Sequence, residues 1–248
     1  MWRMTNLRIA SYNIRKCVGL DWKRDPQRVL AVIQETQADI IALQEIDKRF
    51  GSRDRTLDPE TIAEQTDYKL IGAPVRPQSS GFYGNAILIS KDMSAGNLQT
   101  LALPSFEPRG ALMADIQLPP LNGQATQIRI IATHLAIVGR WRRQQIRDIF
   151  DKFVKSSPSA ITIIAGDFNE IRAQKGFYNK TITKPFDIIT PGASFQASKP
   201  IFTLDKFIIA GDGYQIGQSG VLHTPLSKKA SDHLPIWVDL DLSGSCKA

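Results

Sequence analysis

Residues 161–170 read ITIIAGDFNE, an almost wholly apolar run that ends in two acids and an amide. A run of this composition predicts a strand that is covered on both faces. Asp167 and Asn169 lie two positions apart, so an extended backbone would point both side chains to the same side. Glycine, aspartate and asparagine are also common turn residues. The stretch is therefore either a surface turn or a strand end that presents functional side chains.

The composition is that of an ordinary globular protein with a basic surface. The chain has 248 residues, of which 42% are hydrophobic and 22% are charged, with a formal net charge of +7 and a pI of about 9.5. We expect one domain over residues 1–248, because no linker or repeat divides the sequence. The positive charge favours a polyanionic partner such as nucleic acid, a phosphorylated small molecule or an anionic membrane surface.

The sequence offers no signal for export or membrane insertion. The first residues, MWRMTNLRIASYN, lack the apolar core of a signal peptide, and no stretch approaches the roughly 18 apolar residues of a membrane span. Two cysteines, Cys17 and Cys246, make neither a disulfide framework nor a metal site. We therefore expect a cytoplasmic enzyme without stable membrane insertion, and we can infer no partner protein.

Short apolar runs alternate with amphipathic stretches along the chain. The runs predict strands at 7–14, 39–46, 85–90, 111–118, 127–135, 161–166, 206–211 and 235–242. One helix is predicted from Asp25 and Pro26, an N-cap and a first-turn proline, to about Gln37, and another from Arg142 to Val154. About nine strands with three or four helices favour two sheets packed face to face, with the helices outside.

Polar side chains occupy the ends of these predicted strands. They are Asn13, Gln44, Glu45, Thr133, His134, Asp167, Asn169, Asp205, Asp232 and His233. A single acid at a strand end is usually a turn or helix cap. If the ends converge, however, one rim of the sandwich collects acids, amides and two of the three histidines of the chain. The third, His223, has no acid close by in the sequence, and we expect no special role for it.

The chemistry of such a rim is specific. Carboxylate and amide oxygens, without cysteines or a set of histidine ligands, suit a hard cation such as Mg²⁺ rather than zinc. A hard cation beside two histidines and an additional aspartate is suited to phosphoryl hydrolysis. The cation neutralises the phosphoryl oxygens, an aspartate activates water, and hydrogen-bond donors hold the developing charge.

Seven motifs, in this order, resemble those of the endonuclease/exonuclease/phosphatase superfamily: NIR, LQE, YGNAIL, THL, GDFN, LDKF and SDH. Members of that superfamily include pancreatic deoxyribonuclease, apurinic endonucleases, sphingomyelinases, inositol polyphosphate 5-phosphatases and poly(A) deadenylases. The resemblance covers about residues 7–240. It implies a four-layer α/β sandwich in which two mixed β-sheets face each other and helices flank them. It also implies that GDFN is a catalytic strand end.

The resemblance assigns the metal site to three residues. Glu45 is similar to the principal metal ligand of the family, and Asn13 to the asparagine beside it, which supports the metal and the nucleophile. Asp232 matches the acid that lies near the metal. The cofactor implied is Mg²⁺, for which Mn²⁺ can substitute.

The resemblance also assigns catalytic roles. Asp167 matches the residue that orients or deprotonates the attacking water, and Asn169 the amide that holds water and phosphate. His233 matches the donor to the scissile phosphate, and Asp205 the acid that keeps this histidine protonated. His134 is similar to the phosphate-binding histidine of the deoxyribonuclease and phosphatase branches.

Two further segments are candidates for substrate binding. GRWRRQQIR at 139–147 places Arg140, Arg142 and Arg143 just after His134, either as a solvated helical turn or as phosphate contacts. Asn85 either contacts the site or caps the turn after Gly84. The sequence departs from the family pattern at Lys206, where an aromatic residue or histidine is frequent. Strand alternation points Lys206 away from Asp205, so we expect little effect on the chemistry.

The function expected is Mg²⁺-dependent hydrolysis of a phosphodiester, most simply in DNA or RNA. The alternative is a phosphoesterase acting on a lipid or an inositol phosphate, and a third possibility is a non-catalytic nucleic-acid-binding member of the family. Fold does not fix the substrate. Endonucleolytic, exonucleolytic and phosphomonoesterase action are all open alternatives for this family.

Overall fold

The computed structural model describes residues 6–121, 124–155, 161–171 and 186–242. Their strands, in chain order, are β1 Asn6–Asn13, β2 Ile40–Gln44, β3 Tyr68–Ile71, β4 Ala86–Ser90, β5 Ser94–Leu103, β6 Arg109–Leu121, β7 Gln124–His134, β8 Ile161–Asp167, β9 Phe186–Ile189, β10 Asp205–Gly211, β11 Gln215–Val221 and β12 Ile236–Asp241. The helices are α1 Pro26–Glu35, α2 Pro59–Gln65, α3 Gly139–Ile149 and α4 Ser227–Ala230. A 3-10 turn at Arg15–Cys17 and a π-helical turn at Phe150–Val154 complete the list.

The strands form two six-stranded mixed sheets, with the orders β11-β12-β1-β2-β4-β3 and β5-β6-β7-β8-β10-β9. Each sheet has one parallel pair at its centre, β1 with β2 and β7 with β8. Parallel neighbours need a crossover connection, and α1 and α3 supply the two crossovers. The predicted four-layer sandwich of two mixed sheets flanked by helices is confirmed.

Helix α1 begins where the sequence predicts and ends two residues earlier. The Asp25 side chain accepts a hydrogen bond from the Arg28 amide at 3.0 Å, and Pro26 occupies the first turn. Gln37 adopts a φ of 51°, a left-handed conformation that cannot continue a right-handed helix. Helix α3 begins at Gly139, three residues before the predicted start, and its apolar face continues through the π-helical turn to Val154.

Three apolar layers account for the buried strands. In β8, Ile161, Ile163 and Ala165 face the other sheet, whereas Ile164 packs under α3 with Ile146. Val29 and Ile33 of α1 cover the outer face of the first sheet in the same way. The central strands are therefore covered on both faces, which explains the apolar run that precedes Asp167.

The parallel pairs also fix where the polar side chains lie. Strands β1, β2, β7 and β8 all end at one edge of the sandwich, and β10 begins beside the end of β8, with Asp205 opposite Asp167. The segment before β12 reaches the same edge, because Ile236 pairs with Ser11 of β1. The predicted convergence of strand ends is thus present. In the part of the chain that the structure describes, no helix has both the length and the apolar character needed to cross a membrane.

A buried ion pair ties the second sheet to its covering helix. Arg129 of β7 lies opposite Asp115 of β6 and donates to both of its carboxylate oxygens, at 2.7 and 2.8 Å. Arg129 also donates to the carbonyl oxygen of Phe153 at 2.9 Å. Both charged residues are almost wholly buried. A buried ion pair stabilises a fold no more than a well-packed apolar pair would. Removing one partner, however, is strongly destabilising, because it leaves an uncompensated charge inside the protein.

We predict that Arg129→Met lowers the free energy of unfolding by about 3 kcal/mol or more, because the Asp115 carboxylate loses its guanidinium partner inside the protein. Urea denaturation measures the change as a lower midpoint at an unchanged slope. Lys155→Met is the control, since its ion pair with Asp151 lies on the surface and contributes little. Equal midpoints for the two variants would contradict the role given to Arg129.

Candidate active site

Two backbone constraints shape the ends of the central strands. A side chain at Gly166 would place its Cβ 1.9 Å from the carbonyl oxygen of Thr133, so only glycine allows β7 and β8 to approach this closely. Glu45 and Asn169, which follow β2 and β8, have φ values of 58° and 50°. Left-handed residues of this kind cost free energy and cluster at functional sites. The turns direct both side chains into one cleft.

Asp167 lies at the meeting point of the two sheets. Its Oδ2 atom accepts a hydrogen bond from Asn13 Nδ2 at 3.1 Å and lies 3.4 Å from His134 Nε2 and 3.5 Å from His233 Nε2. Its Oδ1 atom accepts from the Asn169 amide at 2.9 Å. The carboxylate is almost wholly buried. Each oxygen therefore accepts a hydrogen bond, one from the end of β1 and the other from the loop after β8.

His233 and Asp205 form a hydrogen-bonded pair behind Asp167. His233 Nδ1 lies 2.8 Å from Asp205 Oδ2, which also accepts from the Ser194 hydroxyl at 2.5 Å. Burial favours the neutral ring, but the negative charges of Asp205 and Asp167 outweigh it and raise the pKa of His233 well above its ordinary value. The ring therefore carries a proton at neutral pH. Phe195 packs against it, with ring centroids 4.9 Å apart.

His134 is in the opposite state. Burial lowers its pKa to about 4, the positive charge of Arg109 acts in the same direction, and Asp167 and Glu45 only partly oppose the shift. At pH 7 the His134 ring is neutral and the His233 ring is charged, although both lie against the same carboxylate oxygen. Titratable groups whose pKa values are driven apart in this way are typical of acid–base sites.

Basic side chains surround the carboxylate of Glu45. Its Oε2 atom pairs with Lys16 and its Oε1 atom accepts from Arg49 Nη2 at 3.2 Å, while His134 Nδ1 lies 4.0 Å away. Burial opposes ionisation, but these cationic neighbours lower the pKa of Glu45 to about 2. Because His134 is neutral at pH 7, Lys16 and Arg49 are the cations that persist there. The carboxylate is fully ionised and attracts cations.

The residues present fit a hard divalent cation. The carboxylates of Glu45 and Asp232 and the amide of Asn13 line one cleft, and this set contains neither thiolate nor imidazole ligands. Oxygen ligands of this kind are what Mg²⁺ prefers. If the cation binds, Glu45, Asn13 and Asp232 would hold it.

A tighter group of potential ligands lies beside this set. One ligand atom each from Asp167, Asp205 and His233 falls within 4.8 Å of the others, the one such group among the described residues. A histidine must lose its proton to bind a metal, and Asp205 holds the proton on His233. His233 therefore keeps its proton in this group, and the oxygen set is the one whose donors fit a metal.

The cleft has a volume of about 190 Å³ and a basic wall that the sequence analysis did not include. The basic residues of this wall are Arg15, Lys16, Arg49 and Arg109. Arg109 is buried, and its Nε atom has no hydrogen-bond partner in the structure. Burial lowers the pKa of Arg109, and the nearby Arg49 adds to the effect. The Nη2 atom of Arg109 donates to Glu107 at 3.1 Å, so a substrate anion would supply the partner that Nε lacks and would further stabilise the charge.

The candidate substrate-binding residues differ in burial and in their hydrogen-bond partners. Asn85 is fully buried and donates to the carbonyl oxygens of Phe82 and Gly110, both at 3.1 Å, so it fastens a turn beside the site. Arg142 is held by Glu170 at 2.9 Å and by carbonyl oxygens before α3. Arg140 and Arg143 are exposed.

Lys206 is wholly buried and fastens two loops together. Its Nζ atom donates to the carbonyl oxygen of Glu170, next to Asn169, and to that of Thr203 at 2.7 Å. Burial lowers the pKa of Lys206 to about 8. The ammonium group therefore supports the loop that carries Asn169 without touching the cleft.

Comparisons with known proteins give a consistent result. A model of the Endonuclease/Exonuclease/phosphatase family matches residues 10–233. An endonuclease/exonuclease/phosphatase from Bacteroides vulgatus has a TM-score of 0.74 at 18% identity, covering 96% of this chain and 100% of that one. One from Beutenbergia cavernae has a TM-score of 0.71 at 20% identity, covering 96% and 72%. D. rerio TDP2 complexed with single strand DNA product has a TM-score of 0.70 at 16% identity, covering 95% and 99%. No curated protein matches the sequence.

The hydrogen bond between Asp205 and His233 generates a prediction about pH. Replacing Asp205 by asparagine removes the charge that raises the pKa of His233, while burial continues to lower it. Asp205→Asn should therefore lose turnover near pH 8 and recover part of it towards pH 5.5, where the ring is protonated without help. Turnover measured between about pH 5.5 and 8.5 gives the profile. A profile parallel to that of the wild type would show that Asp205 does not control the proton on His233.

Proposed function

The chain belongs to the endonuclease/exonuclease/phosphatase family, and from that premise we propose that it is a Mg²⁺-dependent phosphodiesterase that hydrolyses nucleic acid. The observation that carries the proposal is the pair of histidines around Asp167. One is neutral and the other is protonated, and both lie within 3.5 Å of the same oxygen. A general base, a charged donor and an oxygen-only cation site then adjoin one small cleft.

In the proposed reaction, the oxygen of a water molecule forms a bond to phosphorus, the bond from phosphorus to the ester oxygen breaks, and the leaving alkoxide takes a proton from solvent. Asp167 accepts the proton that the water loses, since Asn13 and Asn169 hold its carboxylate towards the cleft. His233 donates to a phosphoryl oxygen as negative charge develops there. Bound at Glu45, Asn13 and Asp232, the cation would neutralise phosphoryl oxygens and make a coordinated water more acidic.

The basic wall favours a polyanionic substrate. Arg15, Lys16, Arg49 and Arg109 line the cleft, which suits the repeating phosphates of a nucleic acid. The binding of single-stranded DNA product by D. rerio TDP2, which shares the fold, supports the same substrate class. A non-catalytic binding protein would have no need of a protonated His233 beside Asp167.

A lipid or inositol phosphoesterase is the second candidate. The observation that favours it is the exposed aliphatic side chain of Ile137, which lines the cleft. Turnover of plasmid DNA, single-stranded DNA, RNA, phospholipids and inositol phosphates, each assayed with Mg²⁺, separates the two candidates.

We predict that activity on any phosphodiester requires Mg²⁺ or Mn²⁺. A chelator should abolish turnover, and adding either ion back should restore it, because carboxylate and amide oxygens are the ligands proposed to hold the metal. Glu45→Gln should raise the Mg²⁺ concentration needed for half-maximal turnover. Full activity in metal-stripped protein would exclude the proposed mechanism.

We predict that Asp167→Asn lowers turnover by roughly 10²- to 10⁴-fold with a small change in KM, because proton transfer to a positioned base is lost. His233→Ala should lower turnover by at least the same factor, because the variant lacks the charged donor to the phosphoryl oxygen. Steady-state kinetics with Mg²⁺ give both values.

Two variants serve as matched controls. Asp92→Asn and His223→Ala change the same residue types at exposed positions outside the cleft and should leave turnover as in the wild type. Near-normal turnover by Asp167→Asn would refute the role assigned to Asp167.

A further inference from the structure

Exposed apolar side chains concentrate on the segments that carry cleft residues. Nine large hydrophobic side chains are exposed among the described residues, and three of them, Leu98, Ile201 and Ile216, lie outside those segments. The other six are Trp22, Phe50, Phe106, Ile137, Val138 and Ile171. Single exposed hydrophobic residues are normal on a protein surface. Six of the nine lie on segments that also carry cleft residues, and this exceeds isolated exposure and indicates an interaction surface.

Trp22 forms one edge of this surface. It lies in the loop between β1 and α1, and its indole remains 78% exposed. The guanidinium carbon of Arg15 lies 4.6 Å from the ring centroid, and Arg15 Nε lies 3.4 Å from Asp232 Oδ2 in the cleft. Arg15 therefore joins the ring to the site and leaves much of the indole surface open to solvent.

Phe106 forms another edge, on the second sheet. It lies in the loop between β5 and β6, three residues before Arg109, and it is 79% exposed. Trp141 packs edge-on against it, with ring centroids 5.9 Å apart and planes at 86°. The Arg140 guanidinium lies 5.8 Å from the Phe106 ring and 4.9 Å from that of Trp141. The same combination of aromatic ring and arginine thus occurs in a loop of each sheet.

We propose that Trp22 and Phe106 are stacking platforms for unpaired bases, so that the substrate of the proposed phosphodiesterase is a single-stranded nucleic acid. This inference rests on the proposed function and names its substrate class. Every base has a face that stacks on an aromatic ring, and neighbouring arginines contribute charge and cation–π contacts. Bases within a duplex are already stacked and paired. Platforms of this kind therefore favour single strands.

The composition around the rings favours a nucleic acid over a lipid surface. The acids next to the rings are both paired, Asp21 with Arg28 at 2.8 Å and Glu107 with Arg49 at 3.1 Å, so neither presents an unpaired negative charge to a phosphate. Each ring also has a guanidinium beside it, Arg15 at Trp22 and Arg140 at Phe106, which is the combination that stacks on a base and attracts its phosphate. The basic wall adjoins both rings, because Arg15 contacts Trp22 and Arg109 follows Phe106 by three residues, and its charges suit the phosphates of a strand.

The test separates contacts to bases from contacts to phosphates. Fluorescence anisotropy measures binding of a labelled deoxythymidine 12-mer and of a 12-mer whose central residues lack bases, both to protein carrying Asp167→Asn so that neither is cleaved. Trp22→Ala and Phe106→Ala should each weaken binding of the deoxythymidine strand by about tenfold. The strand without central bases should bind weakly even to protein that keeps Trp22 and Phe106. Neither alanine substitution should weaken binding of that strand much further.

Conservative and distant substitutions control for misfolding. Trp22→Phe keeps a ring and should retain most of the affinity, and Leu98→Ala, at an exposed site on β5, should retain all of it. Equal losses for both strands in the alanine variants, or no loss for either, would overturn the stacking assignment. Binding to phosphatidylglycerol vesicles that disappears in the same variants would overturn it in favour of a lipid.

The failure of this inference and that of the proposed function can be distinguished. If the wild type hydrolyses a small phosphodiester such as bis(p-nitrophenyl) phosphate with Mg²⁺ while the platforms prove irrelevant to strand binding, the inference alone is wrong. If the wild type hydrolyses no phosphodiester with either metal, the proposed function is wrong whatever the binding data show.

Discussion

The whole arrangement depends on two pairs of parallel strands. A parallel pair cannot be closed by a hairpin, so each pair requires a crossover helix, and each helix buries the outer face of its sheet. Because the inner faces of the sheets pack on each other, the four central strands are covered on both sides. The carboxyl ends of these four strands then meet at one edge of the sandwich, where the backbone leaves the sheets and can turn. Asn13, Glu45, His134 and Asp167 lie at these four ends, and the antiparallel return of the chain brings Asp205 and His233 to them.

The sequence predicted the inner strands of the two sheets but not the edge strands. All eight strands named from apolar runs exist, and all are inner strands of the two sheets. The four strands that the runs did not reveal are β3, β5, β9 and β11, which are the four sheet edges. Edge strands have one neighbour and are largely exposed, so their sequences can be polar, as in QIGQSGV at Gln215–Val221. Helix α2 could have been found, because Asp58 and Pro59 repeat the capping signal that revealed α1.

The site was predictable as a set of motifs but not as an electrostatic arrangement. The strand-end acids, amides and histidines are visible in the sequence because each terminates an apolar run. The basic wall is not, since Arg15 and Lys16 reach the cleft through a left-handed turn, and Arg49 and Arg109 reach it from two different sheets. The opposite protonation of His134 and His233 depends on which charges surround each ring. Those neighbours come from distant parts of the chain, so no local pattern encodes them.

The pairing of β1 with β12 has a consequence for how the protein is made. The register places Asn6 opposite Asp241. The first sheet therefore cannot be completed until the last described strand has been synthesised. During synthesis β1 leaves the ribosome long before β12, and its unpaired edge is meanwhile a surface on which other chains can pair. His233 arrives only with that final strand. A nascent chain halted before residue 233 would therefore expose an aggregation-prone edge and lack the histidine that faces Asp167.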